Sequence, residues 1–185
     1  MASTREFPRV PLKFPLQLIS IALLGWMAAS SAEQMSEYSV KAVFLYNFTK
    51  FTQWPQSGQS TAFELCVMGA DPFGDALATI EGKQAQGREL HVKRNVSLEE
   101  AKTCQVLFIN EPEQSRLGTL LRRLEKVPVL TVGDTDGFAE AGGMIGLLMD
   151  DNRVQFEVNL KAVERAGITI SSQLLKLARD IKGGR

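Results

Sequence analysis

From Phe63 to Val132, short apolar runs alternate with stretches of helical periodicity, at spacings that let a strand be followed by a crossover and a parallel neighbour. This alternation constrains the fold more than any other feature, because parallel strands can be joined only by connections of a dozen or more residues, usually helical. It predicts strands at Phe63 to Gly69, Leu90 to Arg94, Val106 to Ile109 and Val127 to Val132. The last two are continuous apolar runs, the pattern of strands buried on both faces. Between the strands, Asp71-Pro72 offers an N-cap and a first-turn proline for a helix through Ile80. Ser97-Leu98-Glu99-Glu100 is a capping box, and Pro112 to Leu124 sets Leu117, Leu120, Leu121 and Leu124 on one helical stripe. Asp134 to Ala141 reads as a short helical or looped crossing.

The C-terminal residues change the pattern. Met144 to Met149 and Arg153 to Val158 are separated only by Asp150, Asp151 and Asn152, a hairpin spacing that makes one strand antiparallel. In the second of these strands Val154, Phe156 and Val158 share one face, and Arg153, Gln155, Glu157 and Asn159 share the other. Helices are expected at Leu160 to Arg165 and Ser172 to Ile181, divided at Gly167, which suits a C-cap. The expected fold is therefore α/β and three-layered, with a mostly parallel sheet of five to six strands, helices on both faces and a C-terminal β-hairpin. The expected strand order is 2-1-3-4-5 with the last strand antiparallel.

Ahead of the first strand, Glu37 to Gln53 reads as a helix ended by Trp54-Pro55. Tyr38, Val40, Val43, Phe44, Leu45, Phe48 and Phe51 wrap most of its circumference, more than one stripe requires. It is expected to be buried by its own sheet and by a second surface, with Phe44, Phe48 and Phe51 as candidates for self-association or partner contact.

Residues 1–32 have the form of a signal peptide. Arg5, Arg9 and Lys13 precede an apolar run from Leu16 to Ala29, and Ser30-Ser31-Ala32 supplies small residues for cleavage near Ala32. The run is about 14 residues, against the ~20 that span a bilayer. An uncleaved membrane anchor is the alternative. Residues 33–185 then form a single domain, long enough for a real core and without internal repeats. In an exported chain Cys66 and Cys104 are expected to form a disulfide, with two buried free thiols as the alternative.

Several function classes are excluded or weakened. Formal net charge is zero and no basic block is long enough to track phosphates, so nucleic acid is not an expected partner. His91 is the single histidine and no CxxC occurs, so neither a metal nor a cofactor is expected. Three strand ends carry carboxylates, at Asp71, at Glu111 after Asn110, and at Asp134 and Asp136, which could hold a divalent cation. Helix caps and turns are the commoner use of such residues, and no lysine follows where a phosphoacceptor would want one. Gly69 to Gly74 is no phosphate cradle, since Pro72 deletes an amide donor. His91 has no serine or cysteine partner nearby in sequence, and Ser171 and Ser172 suit a helix cap, so no residue set points to catalysis. What remains is the polar strip. It is either the solvent face of an edge strand or a recognition surface, with Arg153, Glu157 and Asn159 as candidate ligand or partner contacts.

Taken in order, Glu37-Tyr38, Val40-Lys41-Ala42-Val43-Phe44-Leu45-Tyr46-Asn47-Phe48, Trp54-Pro55, Cys66-Val67-Met68-Gly69 with Asp71-Pro72-Phe73-Gly74, Gly142-Gly143-Met144-Ile145-Gly146, Asn152 through Leu160, Ile170-Ser171-Ser172 and Leu174-Leu175 resemble the YfiR family. The resemblance spans nearly the whole mature chain. It implies a periplasmic α/β regulator, often dimeric, that binds the periplasmic domain of an inner-membrane diguanylate cyclase and holds it inactive, lowering cyclic di-GMP and restraining biofilm formation. Cys66 and Cys104 match one bridge of the family's pattern, and a second pair found in some members has no counterpart here. The implied partner is a membrane diguanylate cyclase or a sensor kinase. The alternative function is a periplasmic small-molecule sensor, with its ligand near Arg153 and Glu157, acting on another membrane partner.

Overall fold

A computed structural model describes residues 37–55, 61–111 and 114–184. The expected signal peptide, residues 1–32, lies outside the described residues.

Helix α1 occupies residues 37–51 and passes directly into β1 (Thr52–Gln53). β2 (Ala62–Gly69) is followed by a 3-10 segment (Gly74–Thr79), β3 (Gln84–Ala85), β4 (Arg88–Lys93) and α2 (Leu98–Ala101). β5 (Val106–Asn110), α3 (Gln114–Leu124), β6 (Leu130–Gly133), β7 (Ile145–Asp150) and β8 (Arg153–Asn159) complete the main alternation. The chain ends with α4 (Leu160–Arg165), β9 (Thr169–Ile170), α5 (Ser172–Leu175) and β10 (Asp180–Lys182).

The main sheet has eight strands in the order β10-β8-β7-β6-β5-β2-β4-β3. Its centre, β4-β2-β5-β6-β7, is parallel and has the expected order 2-1-3-4-5, while the antiparallel strand is a sixth, β8, added beyond the fifth by the β7–β8 hairpin. The strand count is corrected from five or six to eight. Both additional strands are short edge pieces, β3 antiparallel to β4 and β10 parallel to β8. β1 and β9 pair antiparallel in a separate two-stranded sheet, Thr52 opposite Ile170.

Alternation along each strand divides the core in two. Phe63, Leu65 and Val67 of β2, Val106 and Phe108 of β5, Leu130 and Val132 of β6 and Phe156 and Val158 of β8 pack with Ala42, Leu45 and Phe48 of α1 and with Ala162 and Val163 of α4. On the other face Cys66, Leu107 and Ile109 pack with Ala101 of α2, with Leu117, Leu121 and Leu124 of α3, and with Phe138. Helices therefore cover both faces, but the layers are less regular than expected. One long helix lies on each, and the rest of the cover is short pieces. The helix expected through Ile80 is the 3-10 segment, because Asp71 makes its hydrogen bond to the Phe73 N–H (2.8 Å) in a tight turn and not to a regular first turn. The helix expected from Ser172 to Ile181 stops at Leu175, and the chain then extends so that the Arg179 N–H donates to the Phe156 carbonyl at 2.8 Å.

Cys66 and Cys104 form the disulfide, with Cα atoms 6.1 Å apart and a sequence separation of 38. The bridge ties the interior of β2 to the chain two residues before β5. Beside it, the Gln105 side chain accepts from the Glu64 N–H (2.7 Å), and the Trp54 indole donates to the Gln105 carbonyl (2.9 Å).

Candidate functional site

The carboxyl ends of β5 and β6, where open α/β sheets place their ligands, face the first turn of α1. There Glu37, Tyr38, Lys41, Asn110, Asp134, Thr135 and Asp136 line an open depression of about 520 Å³. Asn110 ends β5 and Asp134 follows the last residue of β6. Gly69, at φ +85°, makes the close approach possible, since a Cβ there would lie 2.2 Å from the Asn110 carbonyl oxygen. Asn110 in turn donates through Nδ2 to the Ala70 carbonyl at 2.7 Å.

Lys41 anchors one wall. Only 3% of it is exposed, and its Nζ lies 2.5 Å from Glu37 Oε1 and 2.6 Å from Asp134 Oδ2. The Tyr38 hydroxyl donates to the same Asp134 oxygen at 3.0 Å, and the Lys41 ammonium stands 4.4 Å from the Tyr38 ring centroid. Burial, and after it the Asp134 charge, pushes the Tyr38 phenol above its ordinary range, which keeps it a donor. Thr135 donates to the Glu111 carbonyl at 3.1 Å. The lining is polar and charged, with no paired nucleophile and base, which suits recognition and not covalent chemistry.

Of the strand-end carboxylates singled out from sequence, Asp134 and Asp136 line this depression and Asp71 does not. Asp71 holds a turn and pairs with Arg94, whose other guanidinium nitrogen donates to the Gly74 carbonyl at 2.9 Å. His91 is half-exposed on β4, 3.9 Å from both Glu81 and Glu89, and Ser171 caps α5 through the Leu174 N–H. The Lys41 network was not singled out from sequence. Its signal was there in one feature: a lysine in a helix whose neighbours are apolar on nearly every side.

The strip on β8 is divided among different tasks. Asn159 accepts the Ala162 N–H at 3.1 Å as the N-cap of α4, and its Nδ2 donates to the Ala139 carbonyl at 2.8 Å. Glu157 lies over Gly146, where a Cβ would sit 2.9 Å from its Oε1, and pairs with Lys182 of β10 at 3.0 Å. Lys182 also binds Glu140, and these carboxylates hold its ammonium above the usual lysine range. Arg153 is exposed beside the hairpin turn, opposite Asp150 in the β7–β8 register. Asn159→Ala removes a cap and a second hydrogen bond together, and about 1–2 kcal/mol of stability should go with them. Urea denaturation checks this, and an unchanged midpoint would show that neither bond contributes.

On α1, Phe48 is fully buried, its ring 5.4 Å from that of Phe156, and Phe44 packs on both of them. Phe51 is partly buried against the same core. The outward side of the helix carries Val40 and Val43, 42% and 50% exposed.

Among solved structures, the chain is similar to a conserved domain protein from Vibrio cholerae, at 14% identity over 66% of this chain and 55% of that one, with a TM-score of 0.47. It is also similar to the ABC domain from Streptococcus pneumonia crystallised with L-Trp, at 12% identity over 65% of this chain and 55% of that one, with a TM-score of 0.45. The chain thus spans about 55% of the length of each, and neither likeness bears on function. The sequence model of one family, described as YfiR/HmsC-like, matches residues 38–179, from the first turn of α1 to the residue before β10. By that match the chain belongs to the YfiR/HmsC-like family, whose members are known as periplasmic regulators of diguanylate cyclases.

Proposed function

We propose that the protein is a periplasmic regulator that inhibits an inner-membrane diguanylate cyclase by binding its periplasmic domain, lowering cyclic di-GMP. The family match over residues 38–179 carries this reading. Two features agree with it. A disulfide joins Cys66 to Cys104, as expected of an exported domain, and no helix among the described residues is long and apolar enough to cross a membrane. In this reading residues 1–32 direct export and are removed near Ala32.

The mechanism is a population shift. A repressor with higher affinity for the inactive sensor than for the active one moves the cyclase toward inactivity by that difference, and needs no chemistry of its own. The partner-facing surface is assigned to the outward side of α1, where Val40 and Val43 are exposed and Phe44 and Phe51 reach the core's margin. Deleting the gene should raise cellular cyclic di-GMP, and restoring the exported protein should lower it again. Unchanged cyclic di-GMP on deletion would overturn repression.

The depression beside Lys41 and Asp134 favours a second reading, a small-molecule sensor acting on a membrane partner. Its candidate ligand site moves from the neighbourhood of Arg153 and Glu157 to the carboxyl ends of β5 and β6. A thermal-shift screen of the purified protein against amino acids and cofactors tests it, and the absence of any shift would remove it.

A further inference from the structure

Helix α3 turns a side made of cations to the solvent. Leu117, Leu121 and Leu124 are buried against the sheet, and on the other side Arg116, Thr119, Arg122, Arg123 and, just past the helix, Lys126 are exposed. The helix itself contains no acidic residue. Arg122 donates to the Thr119 hydroxyl at 3.0 Å, and among the described residues neither it, Arg123 nor Lys126 makes an ion pair. The nearby carboxylates are taken up by other cations. Glu125 pairs with Arg165 of α4 at 2.9 Å, and Glu99 of α2, whose field reaches Arg123, pairs with Lys102 at 2.8 Å. Arg116 keeps a loose contact with Glu111 at 3.5 Å and remains largely exposed.

Basic residues in a last turn stabilise a helix by facing its negative end, and Arg122 and Arg123 do so here. That accounts for their place along the helix and not for a whole side without a carboxylate, since solvated helix faces ordinarily alternate both signs. The kind of partner follows from what this side lacks. No large hydrophobic side chain of α3 is exposed among the described residues; those that are exposed lie on α1, on β7, and in or just before β10. A protein interface is anchored by apolar and aromatic side chains in a desolvated centre. A layer of anionic head groups needs only a cluster of positive charge held at its surface, and each lysine or arginine there strengthens binding about fivefold.

We propose that α3 is a membrane-docking face, which holds the protein reversibly against an anionic phospholipid bilayer through Arg116, Arg122, Arg123 and Lys126. The whole chain carries no formal net charge, so the attraction comes from this side and fixes an orientation. α1 packs on the opposite face of the sheet from α3, so docking directs Val40 and Val43 away from the bilayer, where the soluble domain of a membrane protein stands. The inference rests on the proposed regulator only for the membrane it meets, and its test reads lipid binding alone, so repression and docking can fail separately.

The test is co-sedimentation of the protein purified after export with vesicles of phosphatidylglycerol and phosphatidylcholine in equal parts, and with vesicles of phosphatidylcholine alone. The wild type should bind the anionic vesicles and not the neutral ones. It should be released when salt rises from about 50 mM to about 500 mM, where the screening length falls to roughly 4 Å. R122Q/R123Q removes two charges and should weaken binding about twentyfold, and R122E/R123E should weaken it further. K50E/K83E makes the same change in net charge as R122E/R123E, at exposed lysines around Tyr46, and should bind as the wild type does. A wild type that ignores anionic vesicles or binds neutral ones equally would overturn the proposal. So would R122E/R123E binding as the wild type does, or K50E/K83E losing as much as R122E/R123E. Tighter binding to soluble poly-glutamate than to vesicles, at equal charge concentration, would assign this side to an acidic protein partner and overturn docking on lipid.

Discussion

Replacing Cys66 and Cys104 with alanine should lower the stability of the protein by about 4 kcal/mol, the chain-entropy estimate for opening a loop of this size. The closed loop spans 38 residues and contains the 3-10 segment, β3, β4 and α2, so the bridge confines a large part of the unfolded chain. In the folded protein both sulfurs are buried beneath α2 and α3, and the substitution leaves small apolar side chains in a core already lined by Leu107, Leu117 and Ala101. The native state is disturbed little and the unfolded state gains entropy, so most of the effect arises in the unfolded chain. Against the ~5–15 kcal/mol typical of a domain, this is a large fraction of the total. Urea denaturation of the double variant, and of the wild type under reducing conditions, should give similar losses. A loss below ~1 kcal/mol would mean that the loop is already ordered in the unfolded chain.

The central strands were legible because their side chains carry a strong pattern. Val106 to Ile109 is buried without interruption and reads as a strand between two layers of helix, which is where β5 lies. Arg153 to Asn159 alternates cleanly, and β8 presents Phe156 and Val158 to the core and Glu157 and Asn159 to the other side. The short elements carried no such pattern. In Asp180-Ile181-Lys182 one apolar residue between two charges fits a helix or a strand equally, and the choice is made by the carbonyl of Phe156, far away in sequence. Thr52-Gln53 and Thr169-Ile170 likewise become strands only by meeting each other. The candidate site was half legible. Topology pointed to the ends of β5 and β6 and so to Asp134, but the group that meets Asp134 comes from α1, 93 residues earlier. Sequence spacing cannot show a contact of that range. Asn159, read as a candidate contact, proved to cap a helix, a role announced by its place immediately before Leu160.

Asp134→Ala should destabilise the protein by about 3 kcal/mol, the low end of the cost of removing one member of a buried ion pair. The low end applies because Lys41 keeps Glu37 at 2.5 Å, so the ammonium is not left wholly without a counter-charge. Glu37 is the more exposed of the two carboxylates, and the ammonium it retains is still 3% exposed as a residue, so compensation is incomplete. The Tyr38 hydroxyl loses its acceptor as well. Lys41→Met should cost a similar amount, since it leaves Asp134 beside an apolar side chain, with the Tyr38 hydroxyl as its remaining hydrogen-bond donor among the described side chains. The combination Lys41→Met with Asp134→Asn should be much milder than the sum. It removes both charges, and the asparagine carbonyl still accepts from Tyr38. Replacing a buried ion pair by groups of similar volume is often neutral, and a double-mutant cycle by urea denaturation isolates the coupling. Single substitutions that each cost under ~1 kcal/mol would show that water reaches this wall and screens the pair. A strong coupling would establish Lys41 as the link that holds the first turn of α1 against β6. The outward Val40 and Val43 surface would then owe its position to an ion pair buried on the opposite side of the same turn.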